Sequence, residues 1–343
     1  MRILAFALSI ASVLAVLAAG VTATAQTPPS QSAAAPAPQQ KSDAPDRFAL
    51  QAESPKFWDL VEQNASLEKV AGGFSFTEGP VWDEKGGFLY VSDEDQNRVA
   101  RVYPDGRVET LLSIGDPDGA TFDQRHRLIE TASVLRAMIR VAPDGKYDVL
   151  ADRYDGKKLN SPNDVVLGPD GALYFTDPTL DLVKGEKQEL PYQGIFRMED
   201  TGALKLLATD MAVPNGIAFS PDGRLLYVND TRSREIRVYD FIDGELKNGR
   251  LFAKEGLGRG GPDGMKVDVQ GNLWVTGPAG IWVFDPRGNH LGTIALMEQA
   301  ANFAWGDADF STLYFCGRSS IYRLNTKVKG FVPYIAYAKP GVP

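Results

Sequence analysis

The sequence predicts an all-β fold, a six-bladed β-propeller with a short N-terminal helix. Glycine, proline and Asp-Gly turns recur every few residues, and no long segment has helical periodicity. Six strand-like segments share a leucine among aromatic or β-branched residues, and these leucines are separated by 39, 45, 53, 47 and 40 residues. The segments are FLYVSD (88–93), RLIETA (127–132), ALYFTD (172–177), LLYVND (225–230), NLWVTG (272–277) and TLYFCG (312–317). Repetition at this period predicts a propeller, and six copies predict six blades, whereas a sandwich or a barrel predicts no such repeat.

The N-terminal 46 residues are expected to precede the folded domain. Residues 1–25 contain one basic residue, an apolar run and a final Ala-Thr-Ala, which is the order of a secretory signal peptide. An N-terminal membrane anchor is the competing interpretation, but serine and threonine within the apolar run favour cleavage. Residues 26–46 are rich in Pro, Ala, Gln and Ser and are predicted to be a disordered linker. We therefore expect a periplasmic or extracellular protein with no membrane attachment after signal removal.

The propeller is predicted to occupy residues 47–343. Ser54 can cap a short helix that begins at Pro55 and continues through KFWDLVEQ. A strand around residues 66–71 precedes the first blade, and we expect it to complete the last blade beside SIYRLNT. The PDG triplets at 104–106, 143–145, 169–171 and 221–223 are predicted to be turns.

Composition excludes several classes of function. The formal net charge is −8 with a pI near 5.0 and no dense Lys/Arg block, which argues against a nucleic acid or an anionic membrane surface as partner. Cys316 is the only cysteine and is predicted to be a core thiol. His126 and His290 lie in polar segments that we expect to be solvated turns. Without a G-x-S-x-G segment, a Ser-His-Asp catalytic triad or a Cys-His catalytic dyad has little support.

A set of polar residues stands at matching positions before the repeats. Ten or eleven residues before each repeat leucine the chain has a carboxylate or a carboxamide: Glu78, Asp118, Asn163, Asn215, Asp263 and Asn302. The first strand of each propeller blade lines the central channel, so we expect these six side chains to converge at one mouth of that channel.

Such a ring predicts a cation site. Three unpaired carboxylates brought together cost several kcal/mol of repulsion and desolvation, which a bound cation removes. Carboxylate and amide oxygens are ligands that Ca²⁺ accepts, and four of the six positions are followed by a glycine that permits close approach. Asn-Gly and Asp-Gly pairs also suit turns, so any one pair alone favours a structural interpretation. The shared register of all six, including a glutamate, favours one divalent metal ion, with Ca²⁺ expected.

Four motifs carry a family resemblance. FTEGPVW, LNSPNDVVLGPDGALYFTDP, VPNGIAFSPDGRLLYVND and PDGMKVD, in this order, resemble the gluconolactonase and senescence-marker-protein family of six-bladed propellers, from about Phe57 to Leu324. The resemblance implies a catalytic divalent cation, usually Ca²⁺, held by Glu78, Asn163, Asn215 and Asp263. It also implies that Asp263 accepts or donates a proton during lactone ring opening and that Asn163 contacts substrate. Asp118 and Asn302, the remaining ring positions, are expected to contact substrate.

The sequence departs from the family pattern near the expected substrate site. Ser161 stands where animal members carry a sugar-binding arginine. Blade two reads ETASVLRAMIRV, in which Arg136 matches one of the paired arginines of many bacterial members but their histidine is missing. A small-molecule lactone is the leading substrate. The alternatives are an aryl-ester or phosphotriester hydrolase with the same metal site, and a non-catalytic ligand-binding propeller.

Overall fold

The computed structural model describes residues 47–258 and 260–338. The predicted signal peptide and linker lie outside the described residues and stay predictions. Two strands precede the first blade: β1 (Ala49–Ala52) and β2 (Glu68–Gly72). Blades one and two contain β3 (Thr77–Asp83), β4 (Phe88–Asp93), β5 (Arg98–Val102), β6 (Val108–Ser113), β7 (Pro117–Phe122), β8 (Leu128–Ala132), β9 (Ala137–Val141) and β10 (Tyr147–Ala151). A short hairpin follows, made of β11 (Arg153–Tyr154) and β12 (Lys157–Lys158).

The remaining four blades continue the same pattern of antiparallel strands. Blades three and four contain β13 (Val165–Leu167), β14 (Leu173–Asp177), β15 (Gly194–Met198), β16 (Leu204–Ala208), β17 (Pro214–Phe219), β18 (Leu225–Asp230), β19 (Glu235–Ile242) and β20 (Glu245–Lys254). Blades five and six contain β21 (Met265–Val267), β22 (Leu273–Gly277), β23 (Gly280–Phe284), β24 (His290–Ala295), β25 (Ala300–Gly306), β26 (Thr312–Gly317) and β27 (Ser320–Asn325). The predicted six-bladed propeller is therefore confirmed, and the four PDG triplets form turns as expected.

The ring closes through an N-terminal strand. The innermost strands contact one another in the order β3, β7, β13, β17, β21, β25 and back to β3. Strand β2 is the outer strand of blade six and pairs with β27, with Glu68 opposite Arg323 and Ala71 opposite Ile321. This pairing confirms the predicted closure. It joins the two ends of the repeat region, because the outer strand of blade six precedes the first blade in sequence and the other three strands follow the fifth.

Two features near the N-terminus differ from expectation. Strand β1 was not predicted and adds a fifth strand to blade five, where Ala49 pairs with Ala295. The predicted helix is a single 3-10 turn, Pro55–Asp59, with the Ser54 hydroxyl accepting from the Lys56 amide at 3.4 Å. It ends early because the Leu60 carbonyl accepts from the Lys327 amide instead of continuing a helix.

The C-terminal segment closes one end of the central channel. Helix α1 (Pro333–Ala336) was not predicted from the sequence. The Tyr334 hydroxyl donates to the Trp82 carbonyl at 2.7 Å, at the far end of β3 from Glu78. Residues 331–334 thus cover a cavity of about 50 Å³ with mainly apolar walls.

Within the described ranges, no helix has both the length and the apolar character needed to cross a membrane.

Candidate active site

The six predicted ring residues lie at the other end of the channel, on neighbouring innermost strands. Glu78, Asp118, Asn215 and Asn302 stand near the starts of β3, β7, β17 and β25, and Asn163 and Asp263 precede β13 and β21 by two residues. Five of them are at most 5% exposed, and Asp263 is partly exposed.

Glycines next to the ring residues let the blades approach one another. A Cβ atom on Gly79 would lie 1.8 Å from the Asp118 carbonyl oxygen, and one on Gly119 would lie 2.5 Å from the Asn163 carbonyl oxygen. A Cβ atom on Gly216 would lie 2.1 Å from the Asp263 carbonyl oxygen. Any side chain at these positions would push apart the backbone that carries the ring, so the predicted role of glycine in close approach is confirmed.

Hydrogen bonds from second strands fix the ring backbone. In four blades, the residue three positions after the repeat leucine contacts a ring carbonyl of the next blade. The contacts are Thr131 to Asn163 at 2.7 Å, Thr176 to Asn215 at 2.8 Å, Asn229 to Asp263 at 2.5 Å, and the Cys316 thiol to Glu78 at 3.9 Å. Cys316 is fully buried, as predicted, and burial raises the pKa of its thiol. It packs between blades six and one and supports the site without acting as a nucleophile.

Amide side chains pair with the carboxylates of the ring. Asn302 Nδ2 donates to Glu78 Oε2 at 2.8 Å, and Asn163 Nδ2 donates to Asp118 Oδ2 at 2.5 Å. Asn215 Nδ2 donates to the Thr231 hydroxyl at 3.0 Å, and its amide stabilises the charged form of the nearby Asp263 carboxylate. Because the amide nitrogens of Asn163 and Asn215 are used in this way, their amide oxygens are left for another partner.

The carboxylates of the ring lie in an environment that disfavours their negative charge. Burial raises the pKa of Glu78 to about 7. Burial, together with neighbouring carboxylates, raises the pKa values of Asp118 and Asp263 well above their ordinary range. Glu78 Oε1 is buried and has no hydrogen-bond partner among the described residues. An unpartnered carboxylate oxygen beside further carboxylate and amide oxygens is the donor set of a hard divalent cation, so these residues fit such an ion.

Two acidic residues at the mouth were missed by the sequence reasoning. Glu94 follows β4, and Asp181 follows β14. Burial raises the pKa of Glu94, and the Glu78 and Asp181 carboxylates raise it further. The pKa of Asp181 rises to about 7, first through burial and then through Asp116. The available signal was topological: second strands run antiparallel to first strands, so the residues that follow them return to the mouth where the ring lies.

Ser161, which departs from the family pattern, and Arg136, which matches it, both have structural partners. Ser161 is fully buried, its hydroxyl donates to the Pro178 carbonyl at 2.8 Å, and it accepts from the Asp181 amide at 3.2 Å. Arg136 is 3% exposed, and its Nε donates to the Leu159 carbonyl at 2.6 Å. Both side chains therefore hold loops around the mouth. Asn302 likewise has protein partners at both of its amide atoms, and its expected contact with substrate stays a prediction, as does that of Asp118.

Both histidines are partly exposed; His126 lies in a turn as expected, whereas His290 begins β24, and each stacks on an aromatic ring. His126 stacks on Phe122 with ring centroids 4.1 Å apart, and His290 stacks on Trp282 with centroids 4.4 Å apart. His126 also approaches Asp83 and Glu84, and ligand atoms of these three residues lie within 4.8 Å of one another. Asp83 ends β3 whereas Glu78 lies near its start, so this group is separate from the ring.

Comparisons with known proteins agree with the fold. The model of the family described as SMP-30/Gluconolactonase/LRE-like region matches residues 76–317. The chain is 32% identical to a gluconolactonase of Zymomonas mobilis, over 81% of this chain and 86% of that protein. It is 27% identical to the pentonolactonase XacC of Haloferax volcanii, over 69% of this chain and 79% of that protein. The solved structure of XC5397 from Xanthomonas campestris, described as a gluconolactonase, is 33% identical with a TM-score of 0.77, covering 82% of this chain and 96% of that one.

Proposed function

The chain belongs to the SMP-30/gluconolactonase/LRE-like family, and we propose that it hydrolyses small-molecule lactones with a divalent cation, Ca²⁺, held by Glu78, Asn163, Asn215 and Asp263. The observation that carries this proposal is the buried, unpartnered Oε1 of Glu78 within a ring of carboxylate and amide oxygens. The two lactonases among the similar proteins support the same reaction class.

The reaction adds water across the ring ester. A divalent cation bound in the ring supplies positive charge that stabilises negative charge on the lactone carbonyl oxygen. Asp263 accepts a proton from the water molecule whose oxygen bonds to the carbonyl carbon. The bond between that carbon and the ring oxygen then breaks, and Asp263 returns the proton to the ring oxygen, which becomes the hydroxyl of a hydroxy acid. The Asn215 amide lies near Asp263 and favours its charged form, which is the form that accepts the proton.

Metal removal tests the proposal. We expect a chelator to abolish lactone hydrolysis and added Ca²⁺ to restore it, because the bound cation supplies the positive charge that stabilises the carbonyl oxygen. The measurement is kcat/KM on several aldonolactones and aliphatic lactones, with aryl esters and a phosphotriester assayed in parallel. Full activity after chelation would contradict the cation, and faster turnover of the esters would favour the alternative hydrolase. Absence of turnover on the whole panel would favour a binding propeller.

The charge of the mouth predicts selectivity for uncharged lactones. Glu94, Asp116 and Asp181 add carboxylates around the ring. At a pH above their raised pKa values these groups are ionised, so a substrate with its own carboxylate or phosphate is repelled. We expect Glu94→Gln to raise kcat/KM for a lactone that carries a carboxylate by about threefold to tenfold, with little change for an uncharged lactone.

Glu94 and Asp95 both lie in the 3-10 turn Glu94–Gln96, and the exposed Asp95 provides the matched control, because Asp95→Asn removes one charge from that turn. We expect a much smaller effect from that control, and higher salt to reduce the effect of Glu94→Gln. Equal changes for charged and uncharged lactones would show that Glu94 does not act through its charge.

A further inference from the structure

A chain of hydrogen bonds runs from the channel interior into the ring. Lys266 Nζ donates to Asn302 Oδ1 at 3.1 Å, and Asn302 Nδ2 donates to Glu78 Oε2 at 2.8 Å. Neither the family motifs nor the repeat positions assign a role to Lys266, which lies in β21 behind the ring.

This chain fixes which way the Asn302 amide faces. Asn302 Oδ1 accepts from both Lys266 Nζ and the Phe303 amide, the latter at 2.9 Å. Two donors on that oxygen oblige the amide nitrogen to face Glu78. If the amide were reversed, its oxygen would face the Glu78 carboxylate and its NH₂ group would face the Lys266 ammonium, which are two unfavourable contacts.

The same chain determines which Glu78 oxygen is free. Glu78 Oε2 accepts from Asn302 Nδ2 and, at 2.9 Å, from the Gly79 amide. With Oε2 engaged twice, Oε1 is the oxygen left without a partner. The carboxylate therefore presents one chosen oxygen instead of rotating between two equivalent ones.

The surroundings of Lys266 explain why its ammonium group points at Asn302. Its neighbours Met265 and Val267 are buried, and its side chain is 24% exposed, within the channel. Among the described residues that line the channel cavity, Lys266 alone carries a charge. Asp164 Oδ2 lies 3.9 Å from Nζ, so Asn302 provides the shorter polar contact. A mostly buried ammonium group requires such acceptors.

We propose that Lys266 is a positioning residue that acts through Asn302 to aim Glu78 Oε1 at the cation of the ring. The inference rests on the cation site of the proposed function but is independent of whether the substrate is a lactone. The simple electrostatic alternative predicts the opposite sign, because an ammonium group behind the site would repel a divalent cation, and its removal would tighten binding.

Calcium titration separates these two roles. We expect Lys266→Met, which keeps the length of the side chain but loses the donor, to weaken Ca²⁺ binding about tenfold, measured by isothermal titration calorimetry on the purified protein. Lys266→Arg, which keeps a donor and the charge, is expected to retain most of the affinity. Lys254→Met is the matched control, because Lys254 is exposed and, in the part of the chain that the structure describes, forms an ion pair with Glu235 alone. Unchanged or tighter binding by Lys266→Met would overturn the proposal.

A double-mutant cycle tests the path through Asn302. We expect Asn302→Ala to weaken Ca²⁺ binding and the Lys266→Met/Asn302→Ala variant to bind no more weakly than Asn302→Ala alone. Additive losses would overturn an action through Asn302. If Lys266→Met does not fold, the cycle is run with Lys266→Leu, which also lacks a donor. A wild-type protein that binds no Ca²⁺ overturns the inference together with the cation site, whereas one that binds Ca²⁺ but hydrolyses no lactone contradicts only the proposed function.

Discussion

Asp263→Asn is expected to lower kcat/KM for lactone hydrolysis by about a thousandfold, equivalent to about 4 kcal/mol of transition-state stabilisation. The substitution keeps the size of the side chain and one oxygen that can bind a cation, but an amide cannot accept a proton from water. The Asn215 amide donates to the Thr231 hydroxyl, and the substitution leaves that hydrogen bond in place. The measurement is steady-state kinetics on the best lactone of the panel at saturating Ca²⁺, with the melting temperature recorded for the same samples.

The folded state is expected to tolerate Asp263→Asn. Burial and the Glu78 carboxylate disfavour the charge of Asp263, so its removal relieves repulsion in the metal-free protein. Asp105→Asn, in the turn between β5 and β6, is the matched control and should leave kinetics unchanged. Among the residues described, the Asp105 carboxylate accepts only from the Arg107 amide within its own turn, at the end of blade one opposite the ring. Retention of more than about a tenth of wild-type kcat/KM by Asp263→Asn would show that another group takes the proton.

The positions of the ring could be predicted because each blade repeats one geometry. A first strand and a second strand joined by a short turn place ten or eleven residues between the channel mouth and the repeat leucine. Counting back from Leu89 or Leu226 therefore reaches the same level of the channel, at Glu78 or Asn215. No helix or long loop interrupts these first hairpins, so the count of residues transfers from one blade to the next.

Contacts outside the repeat could not be predicted in the same way. Strand β1 has only four residues and no alternation that distinguishes it from a loop, and its partner β24 is more than 200 residues away in sequence. Glu94 and Asp181 lie in loops of different lengths, so no shared register identifies them. The contact of Lys266 with Asn302 depends on the direction of one side chain within a blade, which a repeat pattern does not specify.

Removal of the closing strand should have the largest effect on stability. A variant lacking residues 26–46 is expected to melt within a few degrees of the wild type, because it keeps every strand of the propeller. A variant lacking residues 26–71 loses β1, the 3-10 turn and nearly all of β2. We expect it to be unfolded or to aggregate at room temperature, as judged by circular dichroism, calorimetric melting and size-exclusion chromatography.

The size of this effect follows from what the segment buries. Phe57, Leu60 and Val61 are at most 2% exposed, and burial of each such side chain contributes about 1.5–3 kcal/mol, against a total stability of about 5–15 kcal/mol for a typical domain. Deletion also leaves β27 without its outer partner β2, and the unpaired edge strand can then pair with a strand of another chain. A shorter deletion of residues 26–65 keeps β2 and should be folded but less stable, since the ring still closes while the apolar contacts are lost. If the 26–71 and 26–46 deletions melt at the same temperature, β2 does not hold the ring closed.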